Sequence, residues 1–435
     1  MYAYHCFENV DIDGDSKEDL VVSNFRNQCL ENNLLVYYFQ DGKYHKDNNF
    51  NPDFQGFECL HIVKGNDFDN DDDIDIATTG HRSDVYIFIN DGNELNQTPI
   101  IVDDEGRGFI DLDWGDFDND GDSDLVATTV KTNIRVYEYE NNSFSRKYNL
   151  DCGSQSNKVC LNDINNDGFV DIIAAKRNGT VVIFKNSNGS FSETPDFSPS
   201  SGHGCMAFDA GDINRDGYSD IVAVDDGNLI VYNNVNGHIQ DPPEQINNSV
   251  PCYAKDILLH DLNNDDYPDL IVSNFNRNDM IFINDQGQFH STPSWSSPYI
   301  KPTFSINIFN DQDNEKIISF GVCRGDSLEF YTVSPGTGLI DDPEHNNPKE
   351  LYVLQNYPNP FNQVTTVVYS LPKSEQITIS IYDLNGKLIE TLVNNKMPAG
   401  THTMYWNASH VSSGIYFIRY QTAEYTKSKK CILLK

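Results

Sequence analysis

Apolar residues in the first three quarters of the chain fall in short runs rich in β-branched side chains: LVVS (20–23), IATT (76–79), LVAT (125–128), IIAA (172–175), IVAV (221–224) and LIVS (270–273). Runs this short, bounded by turn residues, read as strands. An alternating segment such as FIDLDWG (109–115) precedes each run, and a second apolar segment follows it, as in VYIFI (85–89), VVIF (181–184) and LIVY (229–232). An Asn/Gly turn (NDGN, NSNG, NDQG) and a further extended piece complete the unit, so each unit predicts four short strands and no helix.

Between the alternating segment and the first apolar run lies an acidic loop of nine residues. Copies begin at Asp11, Asp67, Asp116, Asp163, Asp212 and Asp261, spaced 56, 49, 47, 49 and 49 residues apart, and a degraded seventh copy occupies 307–321. A period of this size, filled by four strands, is that of a propeller blade. The expected fold is all-β: a seven-bladed β-propeller over residues 1–334, a linker over 335–350 and a small Ig-like β-sandwich over 351–435. The longer first spacing places a seven-residue insertion at 26–32.

Asp or Asn stands at loop positions one, three and five, and Asp closes the loop at position nine. Oxygen donors at this density suit Ca²⁺, with the backbone carbonyl of position seven as a further ligand. A single acidic loop reads equally well as a turn, because Asp, Asn and Gly are turn formers. Six copies in one phase read as cages. The expected ligands are Asp11, Asp13, Asp15 and Asp19; Asp67, Asp69, Asp71 and Asp75; Asp116, Asp118, Asp120 and Asp124; Asp163, Asn165, Asp167 and Asp171; Asp212, Asn214, Asp216 and Asp220; and Asp261, Asn263, Asp265 and Asp269. Position six calls for a left-handed turn, which Gly121, Gly168 and Gly217 supply readily. With no Glu at position twelve the loop is not an EF-hand, and with no His or Cys it does not suit zinc or iron. Lys316 stands near the closing position of the seventh copy, where no metal is expected. The metal's expected role is a staple across a turn that otherwise repels itself.

The formal net charge of −36 argues against nucleic acid and against anionic membrane surfaces as partners. Six Ca²⁺ ions would bring it to −24. No apolar run reaches the length of a membrane-spanning helix. The nine Cys, spread roughly one per blade, do not form a small-domain disulfide framework and read as apolar fillers of inner strands. No HExxH, GxSxG, phosphate-binding Gly loop or CxxC pair occurs, so a non-enzyme is expected. His81 and His203 lie in loops and are weak ligand candidates.

If the acidic loops join strands one and two, antiparallel geometry sends the loops between strands two and three to the opposite face. Arg26, Arg82, Arg177, Arg277 and Arg324 lie in those loops, five of the chain's ten Arg, with Lys131 in a sixth. They mark an expected ligand face suited to carboxylated or sulfated glycans or to an acidic protein segment. The bland alternative is that they balance neighbouring acids.

Units of the form GDFDNDGDSDLVATT…IRVYEYENNSF resemble FG-GAP/VCBS-type repeats, known from integrin α propellers and bacterial surface proteins. That resemblance implies a Ca²⁺-binding propeller used in adhesion and recognition. The C-terminal segment resembles the sorting domain of type IX (Por) secretion through Tyr357-Pro358-Asn359-Pro360-Phe361-Asn362, Asp383-x-x-Gly386, Ala399-Gly400, Ser413-Gly414-Ile415-Tyr416 and a basic-apolar end. It implies recognition by the secretion machinery and delivery to the medium or outer cell surface. Such cargo needs a leader, and the segment MYAYHCFENVDIDGD shows none, so a longer natural N-terminus is expected. The resulting expectation is a secreted or surface-attached, monomeric adhesion or recognition protein. A polysaccharide-active enzyme, or an accessory module of one, and a passive structural surface protein are the alternatives.

Overall fold

In blades one to six each second strand begins at a closing aspartate and runs through one of the apolar tetrads, which is buried on both faces. Asp75–Thr79, Asp124–Thr129 and Asp269–Asn274 are buried at every residue. In a computed structural model the described residues are 2–26, 34–40, 43–52, 54, 60–80, 83–92, 94–103, 108–141, 143–199, 204–246, 254–275, 277–297, 303–310, 318–324, 327–334, 339–341, 352–357, 361–371, 375–384, 386–397, 400–421 and 426–434. The insertion at 26–32, apart from Arg26, and the seventh loop at 311–317 with Asp313 and Lys316, lie outside the described residues.

Among the described residues the strands of one compact unit, Met1–Ile340, assemble into seven antiparallel blade sheets in chain order, with a small two-stranded ribbon, Asn234–Val235 and His238–Ile239, in the fifth blade's stretch of chain. Their innermost strands are Tyr2–Val10, Ile62–Asn66, Phe109–Gly115, Ser156–Asn162, Cys205–Gly211, Ala254–His260 and Ser305–Asn310. Among the described residues blade four has three regular strands, and a bridge between Ile183 and Phe197 stands in the place of the fourth. Blade seven ends on Leu339–Asp341, which extends its sheet into the stretch read as linker.

Apolar clusters lie between neighbouring blades, which explains the tetrads. Val126, Val136, Ile172, Ala174 and Val182 join blades three and four, and Ala207, Val222, Ile257 and Val272 join blades five and six. A second strand packs against a neighbour on each side, so both faces must be apolar. The ring closes without an exchanged strand: Asn9 donates to the Ile308 carbonyl at 2.7 Å, and Asn307 donates to the Glu8 carboxylate at 3.3 Å.

A second compact unit, Asp341–Lys435, is a sandwich. One sheet holds Tyr352–Tyr357, Val364–Leu371 and Gly400–Asn407; the other holds Leu388–Met397, Glu375–Asp383, Gly414–Gln421 and Thr426–Leu433. Both contribute to one core in which Trp406 lies 5.2 Å from Phe361 and 5.4 Å from Tyr416, ring centre to ring centre. The Phe361 amide donates to the Ile432 carbonyl and the Phe361 carbonyl accepts from the Leu434 amide at 2.9 Å each, so Phe361 is tied to the last strand. Gly386, at φ 75°, donates to the Asp383 carbonyl and makes the turn of the DxxG segment.

Candidate metal centre and ligand face

All six acidic loops share one geometry. The position-one Asp accepts the position-five amide on one oxygen at 3.0–3.2 Å and the position-six amide on the other at 2.7–3.0 Å. The position-five Asp accepts the position-seven amide at 2.9–3.0 Å. Two residues per loop are left-handed. Position six has φ from 66° at Ser16 to 100° at Gly121, and position four, which sequence reading passed over, has φ from 58° at Asn166 to 69° at Gly14. The Gly or Asn found there in five of the six loops was the available signal. The side chain at position two was missed as well: Ile12, Phe68, Phe117, Ile164, Ile213 and Leu262 are all buried and anchor each loop in the core.

Carboxylate oxygens converge at Asp11, Asp13 and Asp15, at Asp67, Asp69 and Asp71, and at Asp116, Asp118 and Asp124, each set lying within 4.8 Å. Position three supplies the test of fit for a cation. The Oδ1 atoms of Asp69, Asp118 and Asn263 are buried and have no hydrogen-bond partner. A buried acceptor without a donor is costly, and a hard cation among oxygen ligands satisfies it. Burial, followed by the Asp71 charge at Asp69 and the Asp120 charge at Asp118, raises both carboxyls above their ordinary range. The donor set therefore fits a metal ion of the Ca²⁺ type.

The closing aspartates differ from the other three positions. Asp19, Asp75, Asp124, Asp171 and Asp269 each accept the position-two amide of their own loop at 3.1–3.2 Å and an amide of the third strand or its end at 2.6–3.0 Å. Asp220 accepts from Asn234 at 2.7 Å. Burial raises Asp75, Asp124 and Asp269 to about 7, against the pull of these amides. Each closing Asp therefore ties loop, second strand and third strand together, and among them Asp124 alone joins a convergent set within the described residues.

The loops are also linked to one another. Asn70, Asn119 and Asn166 donate from position four to the position-six carbonyls of the next loop, at Gly121, Gly168 and Gly217. Arg215 instead reaches Asp266 at 3.2 Å. A further set of asparagines ends the third strands: Asn90, Asn186, Asn234 and Asn284 donate to the carbonyls of Ile12, Phe117, Ile164 and Ile213, each in the preceding blade, at 2.6–2.9 Å.

On the opposite face, Lys131, Arg177 and Arg277 are exposed. Arg177 donates to the Gln155 side chain at 2.6 Å. Arg26 and Arg324 end the second strands of blades one and seven, Asp19–Arg26 and Ile318–Arg324. Their side chains lie outside the description, as do Arg82, His81 and His203. Cys6, Cys152, Cys205 and Cys431 are buried free thiols and Cys160 is half-buried; burial pushes Cys6 and Cys205 up to about 12. Cys29, Cys59 and Cys252 lie outside the described residues, as does the side chain of Cys323.

Sequence reading did not foresee the axial cavity, ≈ 370 Å³, to which all seven inner strands contribute. Glu8, Lys64, Asp111, Asp113, Lys158, Asp209 and Asp256 line it. Several of its acids also join blades, since Asp111, Asp113, Asp209 and Asp256 accept the amides of Val159, Leu161, Leu259 and Ile306 at 2.7–3.1 Å. Lys158 pairs with Asp256 at 2.7 Å. Burial raises Glu8 and Asp111 to about 7, with Lys64 opposing the rise. Lys64 and Lys158 stay charged against burial, because the carboxylates of Asp113 and Glu8 hold the first and those of Asp256 and Asp209 the second.

Comparison with known proteins follows the same division. An FG-GAP-like repeat model matches residues 67–127, 116–174 and 163–223, and a secretion system C-terminal sorting domain model matches 355–434. None of the curated proteins matches the chain in sequence. A structure of BBS1N in complex with ARL6DN is similar over 77% of this chain and 93% of its own, at 14% identity and a TM-score of 0.50, a likeness of fold. The structure of PorZ, from Porphyromonas gingivalis, covers 96% of this chain at 14% identity and a TM-score of 0.46. This chain spans 58% of the PorZ length. Among the described residues no helix is long and apolar enough to cross a membrane. The chain is an all-β protein that carries FG-GAP-like repeats and ends in a Por-type secretion system C-terminal sorting domain.

Proposed function

We propose that the chain is a recognition protein of the outer cell surface or medium, exported by type IX secretion. Ca²⁺ in its six acidic loops stiffens a propeller whose opposite face binds a glycan or protein ligand. One observation carries this reading: repetition is confined to one face. There every blade from one to six repeats the same Asp-pinned loop. The loops between strands two and three differ in every blade, reading GHRSD, VKTN, KRNG, DDGN and NFNRN in blades two to six. A repeated face suits a scaffold, and a varied face on a rigid scaffold suits recognition.

The loop residues at positions one, three and five would hold the metal, joined by the closing Asp where its oxygen converges with theirs, as at Asp124. Bound Ca²⁺ would supply charge neutralisation to carboxylates that now repel one another. The chain's own residues do the rest: position-one Asp shapes the loop, closing Asp joins it to the blade, and position-two side chains anchor it in the core.

A glycan and protein array probed with Ca²⁺-loaded protein tests the reading. Selective capture of one ligand class supports it. Capture of nothing favours a passive surface element, and release of reducing ends from a polysaccharide panel favours an enzyme.

A further inference from the structure

The mouth of the axial cavity on the face opposite the acidic loops combines features that the metal scaffold does not use. Strands one start on that face and strands two end on it, which gathers Met206, Lys255, Phe275 and Phe304 around the opening. Met206, Lys255 and Phe304 line the cavity itself. Phe275 and Phe304 meet edge to face at 5.7 Å, and the Lys255 ammonium lies 5.6 Å above the Phe275 ring. Phe275 and Met206 are 37% and 39% exposed, large apolar groups in water beside a polar shaft. Partial desolvation of its stem, followed by the charge of the nearby Arg177, lowers the Lys255 ammonium from its ordinary range, so two cationic side chains stand close together here. Ser305, next to Phe304, is 6% exposed, lines the same cavity and has a hydroxyl without a hydrogen-bond partner.

We propose that this mouth binds the carboxylated sugar ring of an anionic glycan: Phe304 and Phe275 take its C–H face, Lys255 and Arg177 its carboxylate, and Ser305 a hydroxyl. The inference rests on the reading of the chain as a recognition protein and names the ligand class. The cavity has the volume of a small-ligand site and accommodates a single ring. A peptide is a poorer occupant. Extended peptides are captured by unpaired strand edges, and along the inner strands that line the cavity the amides of Val159, Leu161, Leu259 and Ile306 already serve the carboxylates of neighbouring blades.

The test is calorimetric titration of the full chain in Ca²⁺ with three probes: a glucuronate-terminated trisaccharide, its glucose-terminated counterpart and a hexaglutamate peptide. The acidic sugar is expected to bind about tenfold more tightly than the neutral one, the worth of one charge-assisted contact. Lys255→Met should abolish that difference and leave the melting temperature unchanged, because Lys255 is exposed. Phe304→Ala should weaken both sugars alike. Equal binding of the two sugars, indifference to Lys255→Met, failure of the acidic sugar to bind, or equal binding of hexaglutamate overturns the proposal. The array separates the two levels: ligands other than uronate glycans sink this site alone, whereas no ligand at all sinks the recognition reading with it.

Discussion

Asn186, at the end of the third strand of blade four, donates its side-chain amide to the carbonyl of Phe117 in the acidic loop of blade three at 2.6 Å. The same amide reaches Val170 of its own loop at 3.1 Å, and the Asn186 backbone N–H donates to Asp171. One buried residue thus ties two neighbouring loops and a closing Asp. Asn186→Ala should destabilise the propeller by about 1–3 kcal/mol, because two buried carbonyls lose a donor. Asn234→Ala, which removes donors to Ile164 and Ser219, should cost about as much. Urea denaturation of each variant measures the loss, and an unchanged midpoint would show that these carbonyls find other donors.

Positions three and nine should respond differently to metal. Asp118 leaves a buried oxygen without a partner, so Asp118→Ala should lower the melting temperature in Ca²⁺ and have little effect in a chelator. Asp171 accepts two backbone amides, and Asp171→Ala should destabilise by roughly 2–4 kcal/mol under both conditions. Scanning calorimetry of both variants with Ca²⁺ and with EDTA decides. A wild-type melting temperature indifferent to EDTA would remove the metal's structural role.

The channel predicts a pH dependence. Burial raises Glu8 from 4.5 to about 7, with Lys64 opposing and the Asp113 charge adding to the rise. A carboxyl raised on folding favours the protonated native state, so its stabilising contribution is complete below about 4.5 and is lost as pH climbs through 7. Asp111 titrates in the same window, which makes the informative quantity the difference between wild type and Glu8→Gln. That difference should move against the wild type between pH 4.5 and 7 and then level off. A shift in the opposite direction would mean that Lys64 outweighs burial.

In the C-terminal sandwich, Phe361 is 2% exposed against Trp406. Phe361→Ala should cost about 3–5 kcal/mol, typical of a buried aromatic truncated in a core. The cost should appear as loss of exported protein, measured as the surface and medium fractions against total. Val364→Ala, at an exposed position, is the control and should export normally.

Legibility followed sequence distance. The geometry of the acidic loops could be read directly because their candidate ligands lie within nine residues and the contacts are local: Asp163 accepts amides only four and five residues away. The strand pattern could be read for a similar reason, since the tetrads record burial on both faces of each second strand. The sorting domain was legible from Phe361, Asp383, Gly386 and Tyr416, which stand where the turns and the core require them. The closing Asp was read only in part. Its carboxylate was assigned to metal, but its amide partners in the third strand, such as Asn186, lie fifteen residues away.

Composition and spacing by themselves determined the repeat number, the all-β class and the oxygen-rich loops, because each is set by residues near one another along the chain. The rest depended on closing the ring. Asn234 meets Ile164 across 70 residues, Asn307 meets Glu8 across 299, and Lys158 meets Asp256 across 98. In the linear chain these are ordinary polar residues on alternating strands, and no local pattern separates a solvated lysine from one directed into a channel. Only the curvature of seven packed sheets brings their inner edges around one axis, where burial and neighbouring charge give Glu8, Lys64 and Lys255 their character.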